Sequence, residues 1–238
     1  NFPTPHSPFI YYAHPETAFL DRFEQTIEKV PDANEIIVIN HFPYFVWKFG
    51  PKSSSKKDMK KILKNKKIGF FLNGHLHPSK PMYMHYNGVL EIVGCDLKDH
   101  HTFSVAIVDN GRFSYHPINL IEVRENSTFG FVTNPLPDKL LSNHQIFNEK
   151  DSFVRMVVYS DKRPVINSSV FPDVYENRQL ECRQINDENE NLRFWLCETE
   201  LHISEYGKYR LEIDGDFQQS IEFTIDDTLS SYKENIYE

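Results

Sequence analysis

No segment of this sequence is apolar for long enough to cross a bilayer as a helix, which takes about 20 residues. The longest apolar runs, residues 36–39 and 68–72, are only strand-sized. Positive charge is in short supply, with 26 Lys and Arg against 34 Asp and Glu for a formal net charge of -8. That balance argues against nucleic acid as the partner, because a phosphate backbone wants a basic face. The chain has no signal-peptide pattern and opens on Asn1 rather than Met, so we expect a segment upstream of it. Cysteine is scarce, at three residues. Cys95 falls in an expected strand and reads as a small buried apolar residue. Cys182 and Cys197 flank a polar stretch that reads as a hairpin turn. Placed opposite one another, they fit either a cross-strand disulfide or two free core thiols. The N-x-[ST] sequons at Asn126 and Asn167 are glycosylation candidates. With the cysteine pair, they lean towards an extracytoplasmic or lumenal location.

What is present is core-forming. Hydrophobic residues make up 39% of the chain and charged ones 25%, enough apolar material for one large domain or two ordinary ones. Aromatics reach 14%, with 19 Phe and 12 Tyr, which favours strands over helical bundles. Residues 1–14 suit an extended surface segment. Pro15, Glu16 and Thr17 then open a helix whose apolar face carries Phe19, Leu20, Phe23, Ile27 and Val30. Residues 36–39 form a continuous β-branched run, expected to be a strand covered on both faces, and deliver Asn40, His41, Phe42 and Pro43 at its end. A lysine-rich stretch with a short helix near residues 58–64 follows. A second buried strand, residues 68–72, then delivers Asn73, Gly74, His75, Leu76 and His77. A strand, a helix and a strand, with both strands ending in histidine, follow α/β logic, in which ligand groups gather at strand carboxyl ends.

After Pro78 the pattern becomes short strands joined by turns, with hairpin signals at Asn87-Gly88 and Asn110-Gly111. From Phe129 onward strands dominate, spaced as in an immunoglobulin-like sandwich. The expected division is an α/β domain over residues 1–122, an all-β sandwich over 123–228 and a polar tail over 229–238.

Gly74-His75-Leu76-His77 is the most informative segment. Histidines two apart after a buried strand can aim both imidazoles into one cleft, and Gly74 would allow a tight backbone there. Imidazole suits Zn, Fe or Mn. His41 ends a buried strand one crossover earlier, which strengthens the pairing. Asp96, Asp99, His100 and His101 read first as a loop and only second as a metal site. The nine lysines between residues 48 and 67 read as a solvated helix and loop before they read as an anion-steering patch. His85, His116, His144 and His202 read as structural. Tyr11, Tyr12 and Tyr44 are candidates to line a cleft.

Asn40-His41-Phe42-Pro43 and Gly74-His75-Leu76-His77 resemble the strand-end histidine and G-H-x-H motifs of calcineurin-like metallophosphoesterases. The likeness is nearest to the membrane-linked subgroup similar to transmembrane protein 62. It continues through Gly94-Cys95-Asp96-Leu97-Lys98-Asp99 and Phe131-Val132-Thr133-Asn134-Pro135. The resemblance implies the C-terminal half of a metallophosphoesterase α/β sandwich fused to the immunoglobulin-like domain. His41 and His75 would bind one divalent metal, and His77 a second. In that family two such ions (Mn, Fe, Zn or similar) activate a bridging water against a phosphoester. The family's D-x-H, G-D and G-N-H-[DE] motifs are absent from this chain. The expected state of this chain alone is therefore a half-site, holding one ion weakly or none and without activity. The expected partners are a phosphoester substrate, the missing N-terminal half and a membrane tether outside this segment. The alternative reading is an inactive binding module completed by another chain or segment.

Overall fold

The computed structural model describes residues 16–31, 35–44, 52–64, 66–86, 89–125, 128–142, 148–172, 174–185 and 193–226. The chain is β-rich, with several sheets, and divides into two compact units. The first comprises residues 1–96 with 142–144; the second comprises 97–141 with 145–238. The expected domain boundary near residue 122 thus lies away from the observed division after Asp96, and residues 97–122 group with the second unit. The extended N-terminal segment, Tyr11, Tyr12, the Asn87-Gly88 turn, Asn126, His144, the turn between the two cysteines and the polar tail lie outside the described residues.

In the first unit, helix α1 (Thr17–Glu28) buries Leu20, Glu24 and Ile27. Its apolar residues recur every three or four positions and so line one face. Strand β1 (Ile36–Ile39) leads through helix α2 (Met59–Leu63) to β2 (Ile68–Asn73). Asp58 caps α2 by accepting a hydrogen bond from the Lys61 N–H, which satisfies one of the donors a helix start leaves open. Strands β3 (Met82–Tyr86) and β4 (Val89–Val93) complete a sheet of order β1-β2-β4-β3. β1, β2 and β4 run parallel, and β3 pairs antiparallel with β4. The core joins Leu20 and Ile27 of α1 to Met59, Ile62 and Leu63 of α2 and to Val38, Ile68 and Phe71 of the sheet.

β1 departs from expectation. Its β-branched run suggested cover on both faces, but among the described residues it is an edge strand paired with β2. Ile39 is 78% exposed and Ile37 40% exposed, so only Val38 is buried. Within the lysine-rich stretch, Lys57 and two serines bond to α1. Lys57 Nζ lies 2.5 Å from Glu24 Oε1, and Ser54 and Ser55 hydroxyls donate to Asp21 and Glu24. The Lys57 ammonium, donating to Glu24, holds that carboxyl down at about 2.

The second unit opens with a single helical turn, α3 (Leu97–His100), and a two-stranded hairpin, β5 (Thr102–Asp109) with β6 (Arg112–Asn119). The expected Asn110-Gly111 turn closes this hairpin, with both residues at positive φ. After α4 (Leu120–Glu125), two four-stranded antiparallel sheets form a sandwich. One contains β7 (Phe129–Asn134), β8 (Asp151–Tyr159), β11 (Glu181–Gln184) and β12 (Phe194–His202), ordered β11-β12-β8-β7. The other contains β9 (Ile166–Phe171), β10 (Tyr175–Gln179), β13 (Gly207–Gly215) and β14 (Gln219–Ile225), ordered β10-β9-β13-β14. Alternate residues of both sheets enter one core, among them Val154, Met156 and Val158 from one and Val170, Leu211 and Phe223 from the other.

Cys182 and Cys197 face one another across β11 and β12 and form a disulfide. Of the two alternatives open in the sequence, the bond is the one realised, and it fits an extracytoplasmic location. Among the described residues, no helix is long and apolar enough to cross a membrane. Asn167 lies half-buried on β9, on the face opposite the buried Ile166, Ser168 and Val170.

Candidate metal centre

The parallel pairing of β1 with β2 places both strand ends side by side. Beyond the ladder, Asn40 N–H donates to the Leu72 carbonyl at 2.9 Å and Gly74 N–H to the His41 carbonyl at 3.0 Å. These two bonds carry the pairing into the loops and bring His41 and His75 together, although they stand 34 residues apart. His41 Nε2 lies 3.3 Å from His75 Nδ1. Phe42 packs against both rings, with centroids 4.9 Å from His41 and 4.4 Å from His75. The pair therefore has an apolar wall on one side. Burial, then the neighbouring His41 and His77, push the His75 imidazole below its ordinary value, towards the neutral form that binds metals.

His77 does not join that pair at a single point: among the described residues, the three histidines do not converge within ligand distance of one another. His77 Nδ1 lies 3.9 Å from Asp96 Oδ2 instead. The Asp96 side chain is only 10% exposed, so its carboxylate faces the protein and the histidine more than solvent. Spacing could not pair Asp96 with His77, because the two are joined by fold rather than by local period.

The strain expected at Gly74 sits elsewhere. Gly74 does not occupy the left-handed region, and a Cβ there would meet only ordinary contacts, the nearest 3.6 Å away. His75 (φ 73°) and His77 (φ 49°) are the left-handed residues. Non-glycine residues in this region carry a steric cost and cluster at functional loops.

Beneath the histidine loops lies a residue that the sequence reading did not single out. Glu91, in the middle of β4, is 0% exposed. Its Oε1 accepts from Asn73 Nδ2 at 2.5 Å and from the backbone N–H of Tyr44. Its Oε2 is buried without a hydrogen-bond partner. Burial pushes this carboxyl up to about 7, against the smaller opposing effect of the Tyr44 N–H. Tyr44 is half-buried and packs against the core: its ring lies 5.1 Å from Phe71, and burial raises its hydroxyl to about 12.

Two further histidines, His116 and His202, lie in the second unit. His116, on β6, packs on Phe131 and lines a cavity of about 1020 Å³ in the second unit, with Tyr115, Lys139, Phe217 and Gln219. Burial drives it down to about 4, so it stays neutral. His202 is exposed and held up by Asp151 and Glu200.

No protein-family model, curated protein or solved structure matches this chain.

Proposed function

We propose that the first unit carries part of a metal-dependent phosphoesterase centre, in which His41 and His75 hold one divalent ion and His77 with Asp96 serves a second. The observation that carries this reading is the 3.3 Å approach of His41 Nε2 to His75 Nδ1. Two nitrogens on one tetrahedral ion, each at about 2.0–2.1 Å, stand about 3.4 Å apart, so the separation matches that of a shared ion, which would replace the hydrogen bond between the two rings. The lowering of His75 favours the neutral imidazole that binds metals, and the Phe42 ring packs against it. When bound, two such ions lower the pKa of a bridging water and neutralise phosphoryl oxygens. The chain's own residues hold and orient those ions. The bridging carboxylate and leaving-group histidine of calcineurin-like enzymes have no counterpart here, so this chain alone supplies a half-site. The second unit fits the accompanying immunoglobulin-like domain: lettered in chain order, its sheets read A-B-E-D and C′-C-F-G. In this reading the parent protein is a lumenal or extracytoplasmic hydrolase of phosphoesters.

Metal titration by calorimetry tests the site. The chain is expected to take up Mn²⁺ or Zn²⁺ weakly, and His75→Ala to lose the ion shared with His41. Hydrolysis of mono- or diester probes is expected only when the chain is joined to a segment carrying the D-x-H, G-D and G-N-H-[DE] motifs. A joined protein, saturated with Mn²⁺, that hydrolyses neither probe sinks the enzymatic reading.

One observation favours the alternative, an interaction module completed by another chain or segment. Among the described residues β1 is an edge strand with Ile39 78% exposed, the kind of edge that recruits a further strand. A chain that stays monomeric at high concentration and ignores peptides in β-augmentation assays argues against it.

A further inference from the structure

We propose that Glu91 is the positioning residue for both histidine loops, its single buried carboxyl setting the separation of His41 from His75. This rests on the metal-centre reading above. The two loops come from different strand ends, and each must be held for the imidazoles to share an ion. Glu91 reaches one loop through Asn73, two residues before His75, and the other through the Tyr44 N–H, three residues after His41. Both donors converge on one atom, Oε1, so neither loop can shift without losing its bond to the other's anchor. The Tyr44 loop is braced again by Asn40 Nδ2, which donates to the Phe42 carbonyl at 2.6 Å.

A purely structural role explains Glu91 poorly. A carboxyl at 0% exposure with one oxygen unpartnered is costly, and an apolar residue of similar volume would fill strand β4, among Leu90, Ile92 and Val93, more cheaply. What the carboxyl adds is a buried side-chain fastening between two loops that also share two backbone bonds and the contacts of the His41, Phe42 and His75 rings. Outer-layer groups that orient metal-binding imidazoles commonly govern affinity in this way.

The test is Co²⁺ binding to the 238-residue chain, followed by visible absorption and by competition with a chelator. Glu91→Leu keeps the volume and removes the acceptor. Its Co²⁺ affinity is expected to fall by about 10–100-fold, with a changed ligand-field spectrum. Glu91→Gln keeps an oxygen for both donors, and its affinity is expected to stay within about threefold of wild type. Rescue by Gln of what Leu loses is the signature of positioning. Should Glu91→Leu fail to fold, Asn73→Ala keeps the carboxyl and removes one of its two donors. That variant is expected to show a smaller loss with the same spectral change, and wild-type affinity in it overturns the proposal. A folded Glu91→Leu with wild-type affinity and spectrum also overturns the proposal while leaving the metal centre standing. A wild-type chain that takes up no Co²⁺ overturns the metal-centre reading itself, and this proposal with it.

Discussion

Reduction of the Cys182–Cys197 bridge gives a perturbation whose size follows from the structure. The bridge spans 15 residues and joins neighbouring strands of one sheet, β11 and β12. In the chain-entropy account, a closed loop of that length removes about 3 kcal/mol of freedom from the unfolded chain. Cys197 is fully buried and Cys182 nearly so, and two thiols need more room than bonded sulfurs, so any repacking on reduction adds to the covalent term. For a unit of this size a loss of about 3 kcal/mol lowers Tm by about 10 °C. Trp195 gives a local reporter, because it sits two residues from Cys197 on β12 and its Nε1 donates to the Ser160 carbonyl at 3.0 Å. Urea unfolding followed by fluorescence, with and without reductant, measures the difference. Cys182→Ala, Cys197→Ala and the double variant should each fall at least as far. The two single losses should not add, since either one alone opens the bond. Reduced and oxidised proteins agreeing to within about 1 kcal/mol would show that the bridge does not restrain the unfolded chain, and the reasoning would fail.

Other outcomes follow from the remaining sites. Glu91 is raised to about 7 in the folded chain, so the folded state holds a proton that the unfolded state releases above the ordinary carboxyl value near 4.5. Its contribution is therefore intact below that value and is lost as pH rises towards 7, by about 3 kcal/mol in all. His75 and His85 are lowered and act with the opposite sign as pH falls below 6.5, so the measurement is the wild-type minus Glu91→Gln stability at each pH. A difference that does not change between pH 4.5 and 7.5 contradicts the burial argument. Gly215 sits at φ +123°, and a Cβ there would lie 2.3 Å from the Val165 carbonyl oxygen, which is rigid backbone. Gly215→Ala should destabilise the sandwich by more than about 1 kcal/mol in the same urea assay. His41→Ala should weaken metal uptake as strongly as His75→Ala, whereas His202→Ala, in an exposed ion pair, should leave it unchanged in calorimetry.

Where local pattern and tertiary setting agreed, the fold was legible in the sequence. The 3.6-residue spacing marked α1, and Asn110-Gly111 marked the β5–β6 hairpin. The two strands ending in histidine were placed correctly because β-branched runs and strand ends are local signals. β9 and β10 were not read, for a physical reason. Ile166–Phe171 buries Ser168, whose hydroxyl pairs with the Tyr175 hydroxyl at 3.0 Å, and Tyr175–Gln179 is polar almost throughout. Apolar alternation therefore never appears in that stretch. The cover expected over β1 failed because a β-branched run reports strand propensity and not position within the sheet. Within the candidate centre, the histidines were visible from spacing, but Glu91 was not. A lone Glu in an apolar strand carries no local signal, and its partners lie 18 and 47 residues away.

The left-handed backbone at His75 and His77 bears on how this loop would change under neutral drift. An L-residue with a Cβ is disfavoured there by about 1–2 kcal/mol, and Asn or Gly would relieve much of that cost in one or two base changes. A loop whose only task was to reverse the chain would be free to take that relief at both positions. Imidazole at both therefore looks like a standing expense that something other than folding has to justify. Replacing each with Asn or Gly in turn separates the two pressures, since stability should rise while whatever the rings are kept for is lost.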